Sequence, residues 1–125
     1  MRYLWMALGG AAGTLLRYGV TAAMMSVFTY RYPLGTLLVN LTGSMAIGLC
    51  WGWSSANPFS ANMTAFIFIG LLGGYTTFST FSLENLQLLR DGEIRMALIY
   101  AVSSCIGGIM AAYAGLRLSG NYLQG

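Results

Sequence analysis

Long apolar stretches separated by short polar turns run along the whole chain. A helix that crosses a bilayer needs about 20 mostly apolar residues, and four such stretches nearly fill the 125 residues. We therefore expect an all-α membrane protein with a single domain over residues 1–125 and spans at about 3–28, 34–53, 62–89 and 95–116. The first stretch is too long for a cleavable signal peptide, so we expect it to remain as the first span.

The third stretch does not have the pattern of a continuous helix. Its middle, residues 70–81, is rich in glycine, including Gly73 and Gly74, and then in hydroxyl residues. Irregular backbone at membrane depth is tolerated only where it is buried in protein or lines a site, and an unwound turn frees carbonyl oxygens that can bind a hard cation such as Na⁺. This pattern predicts a broken third helix. A harmless kink is the alternative, because glycine pairs also kink helices.

Composition narrows the function classes. The chain is 57% hydrophobic and only 7% charged, whereas soluble domains carry about 25% charged residues. Six arginines and three acids leave a net charge of +3, and there is no histidine. So little charge cannot cover a water-facing surface, which excludes a soluble enzyme. Nucleic-acid-binding modules are also excluded, because they need clustered basic residues. A Ser-His-Asp triad and a histidine-ligated metal site are excluded as well, so we do not expect an enzyme.

The arginines are nearly balanced between the two sides of the predicted topology. One side receives Arg2 and Arg117, and the other receives Arg31, Arg90 and Arg95. Because arginines in the loops set orientation, two against three gives almost no bias. A chain without a preferred orientation inserts in both directions, and an antiparallel homodimer is its natural product. A single orientation set by a weak signal is the alternative.

Small residues recur at helical spacing along the predicted spans. Such pairs let helix backbones approach closely in lipid, where packing drives association. Together they favour a tightly packed bundle, and they are Gly9 with Gly13, Gly48 with Gly52, and Gly108 with Ala112.

Two polar residues lie inside the first two predicted spans, where polar groups are costly and are therefore functional candidates. Arg17 either extends to the lipid headgroups or provides a positive vestibule that concentrates anions. Asn40 either ties two helices together by hydrogen bonds or donates its amide N–H to a passing anion.

Further candidates follow on the third and fourth stretches. Phe78 and Phe81 share one helix face, and they either pack or line a pore, where the positive ring edge suits a small anion. Glu84 is either exposed at the end of its span or a gate at a pore mouth. Tyr100 and Ser104 lie one turn apart and extend a line of hydroxyl donors.

Three segments carry a resemblance to a known family. They are residues 9–13 with Arg17 and Tyr18, residues 35–40 (GTLLVN), and the long, specific segment 73–81 (GGYTTFSTF). Over nearly its whole length the chain resembles the CrcB/Fluc fluoride channels. The resemblance implies passive fluoride export that relieves cytoplasmic fluoride toxicity, through an antiparallel dual-topology homodimer with two pores in the cell inner membrane.

The same resemblance assigns roles to individual residues. It implies a structural Na⁺ at the dimer centre, held by main-chain oxygens of Gly73 and Thr76 from each chain. Phe78 and Phe81 match the family's pore-lining phenylalanines, and Asn40 matches its asparagine in the second span. Tyr100 and Ser104 match a polar track on the fourth span.

The chain departs from the family pattern at the end of that track. A further hydroxyl often follows Ser104 by one turn, but Gly108 occupies that position here, and Ala112 follows a turn later. Water or a neighbouring chain would have to supply the missing donors. Tyr75 replaces a common leucine or phenylalanine, which matters little for carbonyl ligands.

Two rival functions are weaker. A small multidrug exporter also has four spans, but proton-coupled export of organic cations needs a carboxylate deep in an early span, and the first two spans contain none. A membrane scaffold without transport needs no combination of a broken helix, a phenylalanine pair and an internal asparagine.

Overall fold

The computed structural model describes residues 1–28 and 32–121, and these contain helices and no strand. The all-α prediction is therefore confirmed for the described part of the chain. Arg31 of the orientation argument lies outside the described residues. The helical elements are α1 (Arg2–Val27), α2 (Leu34–Ala56), α3 (Ala61–Thr64), a π-helix (Ala65–Leu72), α4 (Gly73–Tyr75), α5 (Phe78–Arg90) and α6 (Ile94–Leu118).

Within the described ranges, three helical segments are long and apolar enough to cross a membrane. They are Leu34–Ala56, Ala61–Arg90 and Ile94–Leu118. Helix α1 is also long, at 26 residues, but it is not among the three because it is less apolar and carries Arg2 and Arg17. Several membrane-crossing segments make this a multi-pass membrane protein, while a fourth span at α1 stays a prediction.

Local sequence signals set several helix boundaries. Pro33 lies immediately before α2, where its fixed φ suits the start of a helix. The Ser60 hydroxyl accepts a hydrogen bond from the Met63 backbone N–H at 3.2 Å and so caps α3. The turn between α5 and α6 contains Gly92 at φ 78°, a left-handed conformation that favours glycine.

Close backbone contacts hold the helices in two layers. A Cβ atom at Gly13 of α1 would meet the Leu71 carbonyl oxygen and would lie 2.8 Å from the Tyr75 nitrogen. A Cβ at Gly48 of α2 would similarly meet the Ala112 carbonyl of α6. Helix α1 therefore packs against the segment Ala61–Tyr75, and α2 packs against α6. These contacts confirm the predicted close association at Gly13 and Gly48.

The segment between α3 and α5 differs from the sequence prediction in detail. Gly73 has ordinary helical angles, φ −63° and ψ −37°, so the glycine pair is not unwound. The extended residues follow Tyr75 instead: Thr76 has φ −81° and ψ 157°, and Thr77 has φ −149° and ψ 124°. We call these two residues the extended pair.

The physical reason is that the second glycine of the pair is needed for close packing. A Cβ at Gly74 would lie 2.7 Å from the Gly10 carbonyl oxygen. Glycine at this position therefore admits helix α1, and the backbone changes direction only beyond that contact. The π-helix before it, a rare form that is frequent at functional sites, was not predicted.

Candidate functional site

Asn40 holds both backbone polar groups of one residue of the extended pair. Its Nδ2 donates to the Thr77 carbonyl oxygen at 2.9 Å, and its Oδ1 accepts from the Thr77 N–H at 2.8 Å. Because the Thr77 N–H has no helical acceptor, the amide oxygen satisfies a donor that would otherwise be left unbonded in buried backbone. The interpretation that Asn40 ties two helices together is confirmed. An amide nitrogen has two N–H donors, so the second remains for a ligand.

The Thr77 hydroxyl begins the next helix. It accepts a hydrogen bond from the Thr80 N–H at 3.2 Å and donates to the Thr80 hydroxyl at 3.1 Å. This is the N-cap arrangement in which a threonine side chain replaces the missing helical acceptor. Thr77 itself is buried. The start of α5 is therefore fixed by side chains rather than by continuation of α4.

These bonds leave two carbonyl groups without their helical donors. In a continuous α-helix the N–H of residue i donates to the carbonyl of residue i−4, which pairs Thr77 with Gly73 and Thr80 with Thr76. Here the Thr77 N–H is bonded to Asn40 and the Thr80 N–H to the Thr77 hydroxyl. Two neutral oxygens of the kind that hard cations bind are thus released. Gly73 and Thr76 fit the predicted ligand chemistry.

Side-chain metal ligands do not compete with this arrangement. Among residues 1–28 and 32–121, no group of three or more His, Cys, Asp or Glu side chains can hold a metal ion. Gly73 and Thr76 line one cleft of about 320 Å³ together with Asn40, Thr77 and Phe78. The structure therefore brings four of the predicted site residues, Gly73, Thr76, Asn40 and Phe78, to one cleft.

The two phenylalanines lie at the start of α5 in different surroundings. Phe78 is 78% exposed, and its ring centroid lies 5.6 Å from that of Phe81. The Phe81 ring lies 5.0 Å from the ring of Tyr100 on α6. The shared helix face is thus confirmed. The Phe81 ring packs against Tyr100 of α6. Most of the Phe78 side chain, by contrast, contacts no other part of the described structure.

Glu84 accepts two hydrogen bonds from neighbouring helices. The Thr36 hydroxyl of α2 donates to its Oε1 at 2.8 Å, and the Tyr100 hydroxyl of α6 donates to its Oε2 at 2.7 Å. Tyr100 is completely buried, and Thr36 is 4% exposed. The interpretation of Glu84 as an exposed residue at the end of its span is therefore wrong. Its role as a gate stays a prediction.

Arg17 lines a second cavity, of about 220 Å³. The cavity is otherwise lined by hydroxyl residues: Thr14, Tyr18, Thr21, Thr36, Thr77 and Thr80. No hydrogen bond or ion pair joins the Arg17 guanidinium to any residue in the described ranges. A positive charge without a protein counter-ion, next to hydroxyl donors, attracts anions. Thr77 of the extended pair lines both cavities.

The predicted hydroxyl line on α6 divides between two environments. The Tyr100 hydroxyl is bonded to Glu84, whereas the Ser104 hydroxyl is buried without a hydrogen-bond partner among the described residues. At Gly108, the next position of the line, a Cβ would lie 3.5 Å from the Ser44 hydroxyl of α2. Ser44 thus occupies the neighbourhood of the hydroxyl that is missing from α6.

Sequence reasoning missed three residues of this region. Thr36 and Ser44 each lie one helical turn from Asn40 on α2. This spacing places them on the same helix face as Asn40 and could have identified them as further polar candidates. Thr77 was part of the motif 73–81, but its capping role was not identified. A threonine directly before an amphipathic run is the usual sign of an N-cap.

Comparison with known proteins gives consistent matches over most of the chain. A family model described as CrcB-like protein, Camphor Resistance (CrcB), matches residues 4–116. A relative in Parabacteroides distasonis, named fluoride-specific ion channel FluC, is 45% identical over 93% of this chain and 91% of its own length. Proteins of the same name in Thermus thermophilus and Pseudomonas putida are 45% and 41% identical, over 95% and 89% of this chain and 95% and 90% of their own lengths.

These matches decide the resemblance stated from the motifs. The family model spans all three segments that carried it, and the relatives cover nearly the whole chain. Because the relatives are ion channels rather than enzymes, the expectation that this chain is not an enzyme is confirmed. The chain belongs to the CrcB family.

Proposed function

We propose that this chain is a fluoride-selective channel that exports F⁻ passively across the cell inner membrane and so relieves cytoplasmic fluoride toxicity. The observation that carries the proposal is the cleft at the extended pair, which is lined by both Asn40 and the exposed Phe78. Such a site offers an anion neutral donors and positive ring edges. The names of the relatives support fluoride as the ion.

Positive and hydroxyl groups support anion entry. Arg17 provides a fixed charge beside a cavity lined with threonines, which raises the local anion concentration by Coulomb attraction. Neutral donors beyond it bind fluoride without trapping it by a full charge. Conduction needs such weak, repeated binding, because an ion must leave each site as readily as it enters.

The polar track combines two helices in this chain. Tyr100 and Ser104 contribute from α6, and Ser44 of α2 supplies the donor that Gly108 lacks. The unpaired Ser104 hydroxyl supports this role, because a buried hydroxyl without a partner is costly unless it binds a ligand or water. Ala112 contributes no donor, so the track ends near Ser44.

We further propose that the extended pair is the functional break of a membrane-spanning helix and that two antiparallel chains meet there. Gly73 is exposed, and among the described residues beyond its own helical neighbours the atom nearest to a Cβ built on it is the Phe68 carbonyl oxygen, at 3.6 Å. Exposed backbone with free carbonyls is unfavourable in lipid, which favours a partner chain at this surface.

A structural Na⁺ at the two-fold axis would satisfy those carbonyls. The main-chain oxygens of Gly73 and Thr76 from each chain would hold it, and its charge would bind the two chains together. Mg²⁺ suits this donor set less well, because it demands octahedral geometry and keeps several waters.

Efflux from liposomes that contain the purified protein tests the proposal directly. We expect fluoride to leave down its gradient without ATP or a counter-ion gradient, and chloride to be retained. Equal release of chloride and fluoride would contradict the substrate, and strict coupling to protons would contradict a channel. A multidrug exporter would show proton coupling, and a scaffold would show no fluoride release.

Orientation can be tested separately from transport. Adding two lysines at the C-terminus should force one orientation, because basic residues are retained on the cytoplasmic side. Fluoride efflux should then fall, and mixing with a variant forced the opposite way should restore it. Full activity from a population inserted in one direction only would contradict the antiparallel dimer.

A further inference from the structure

We infer that Asn40 and Thr77 are positioning residues for the cation site, because their side chains keep the Gly73 and Thr76 carbonyls free of helical hydrogen bonds. The inference rests on the proposed Na⁺ site. It concerns how this chain creates the ligands, and it assigns Asn40 a second task besides any contact with the permeating anion.

The bonding pattern around the extended pair carries the inference. The Thr77 N–H, which a continuous helix would direct to the Gly73 carbonyl, donates to Asn40 Oδ1 at 2.8 Å. The Thr80 N–H, whose helical acceptor would be the Thr76 carbonyl, donates to the Thr77 hydroxyl at 3.2 Å. For each proposed ligand carbonyl, one side chain thus accepts the hydrogen bond of the N–H group that the carbonyl would bind in a continuous helix.

Both side-chain hydrogen bonds are needed, because without them the backbone would resume a helical conformation. A buried N–H without an acceptor is costly, so a Thr77 or Thr80 N–H that lost its side-chain partner would gain by bonding the nearest carbonyl. That carbonyl would then have less capacity for a cation. The neighbouring segments are helical on both sides, so a helical continuation through the extended pair is the competing conformation.

The two functions of Asn40 use different atoms. Its Oδ1 accepts from the Thr77 N–H, and one Nδ2 hydrogen is donated to the Thr77 carbonyl. The second Nδ2 hydrogen is the donor that an anion can use. A variant that keeps the acceptor and removes the amide nitrogen therefore separates cation-site formation from anion contact.

The first test compares two substitutions at Thr77 in detergent-purified full-length protein. Thr77→Val deletes the hydroxyl and keeps the shape, whereas Thr77→Ser keeps the hydroxyl. The thermal midpoint is measured as NaCl replaces choline chloride at constant ionic strength, and ²³Na relaxation reports bound Na⁺ directly. We expect Thr77→Val to raise the Na⁺ concentration of half effect about tenfold and Thr77→Ser to change it by less than about threefold.

Ser82→Ala is the matched control on the same helix. The Ser82 hydroxyl donates to the Phe78 carbonyl at 2.9 Å. Its loss therefore removes a local hydrogen bond and leaves the hydrogen bonds of the Thr77 and Thr80 N–H groups in place. We expect Ser82→Ala to leave the Na⁺ dependence unchanged. A purely structural role of Thr77 would lower the thermal midpoint equally in Na⁺ and choline.

A second pair of variants decides the inference even if Thr77→Val fails to fold. Asn40→Asp keeps an oxygen acceptor for the Thr77 N–H, whereas Asn40→Leu removes it. We expect Na⁺ binding to be retained in Asn40→Asp and weakened about tenfold in Asn40→Leu, while fluoride flux falls in both because the amide donor is lost.

The outcomes separate this inference from the proposal on which it rests. Wild-type protein without any Na⁺-specific stabilisation or ²³Na signal would overturn the Na⁺ site itself. Wild-type Na⁺ binding that is unchanged in Thr77→Val and in Asn40→Leu would leave the site intact and overturn the positioning roles.

Discussion

The segment Ala61–Arg90 consists of two halves that are held in place by different forces. Ala61–Tyr75 lies against α1 so closely that glycines replace side chains at the contact, as at Gly13 and Gly74. Phe78–Arg90 buries only Leu88 and is held by directed hydrogen bonds, including those from Thr36 and Tyr100 to Glu84.

This difference separates stability from permeation along one segment. A backbone contact in lipid has no tolerance for added atoms, and its loss affects the whole fold. Hydrogen-bonded hydroxyls and an exposed ring can exchange partners with an ion. Substitutions before the extended pair should therefore affect folding, and substitutions after it should mainly affect flux.

The largest effect is expected where helix α1 contacts the first half. Gly13→Ala would place a Cβ against the Leu71 carbonyl and the Tyr75 nitrogen, and this overpacking should lower the free energy of unfolding by about 1–3 kcal/mol. Denaturation of the detergent-solubilised protein measures the change.

Gly19→Ala provides the control on the same helix, because no atom of a neighbouring element in the described part of the chain lies within 4 Å of a Cβ at Gly19. There the better helix propensity of alanine should leave stability unchanged or raise it by up to about 1 kcal/mol. Equal losses at Gly13 and Gly19 would remove the steric basis of the comparison.

In the second half, Phe78→Ile should reduce flux without unfolding the protein. Phe78 is 78% exposed, so the free energy of unfolding should change by less than about 0.5 kcal/mol. Loss of the positive ring edge should lower fluoride efflux about tenfold, which corresponds to about 1.4 kcal/mol in the barrier.

Leu83→Ile controls for a change of apolar shape at an exposed site on the same helix, and fluoride efflux should stay at the wild-type rate. If Phe78→Ile instead lost the dimer on size-exclusion chromatography, its ring would be a packing residue rather than part of the pore.

The smallest effect is expected where hydrogen bonds hold the second half. Tyr100→Phe removes one of the two hydroxyls bonded to Glu84 while Thr36 remains, so unfolding should become about 1 kcal/mol easier. Tyr3→Phe, at an exposed hydroxyl, should have no effect. If Tyr100→Phe lowered the free energy of unfolding as much as Gly13→Ala does, the two halves would not differ in the forces that hold them.

The sequence was most informative where a pattern is local. Apolar runs, small-residue pairs and the i, i+3 spacing of Phe78 and Phe81 predicted the helices, the close contacts near Gly13 and Gly48, and the shared face of the two rings. Each of these follows from helical geometry alone.

Features that depend on a second helix could not be obtained in this way. The glycine pair suggested unwinding at Gly73, but only the contact of Gly74 with α1 explains why the helix continues to Tyr75. The hydrogen bond of Asn40 joins residues that are 37 positions apart in the sequence. Those of Glu84 join residues that are 48 and 16 positions apart. A single sequence does not reveal which distant groups such polar residues will meet.

The closeness of α1 to the π-helical segment has a consequence for synthesis in the cell. Helix α1 is made before the segment against which it packs, and within residues 1–28 and 32–121 it is a long helix that is not among the apolar membrane-crossing segments. Its glycine surface has no partner until Leu71 and Tyr75 have been made. We therefore expect a chain truncated after α2 to leave the glycine surface of α1 without the backbone against which it packs.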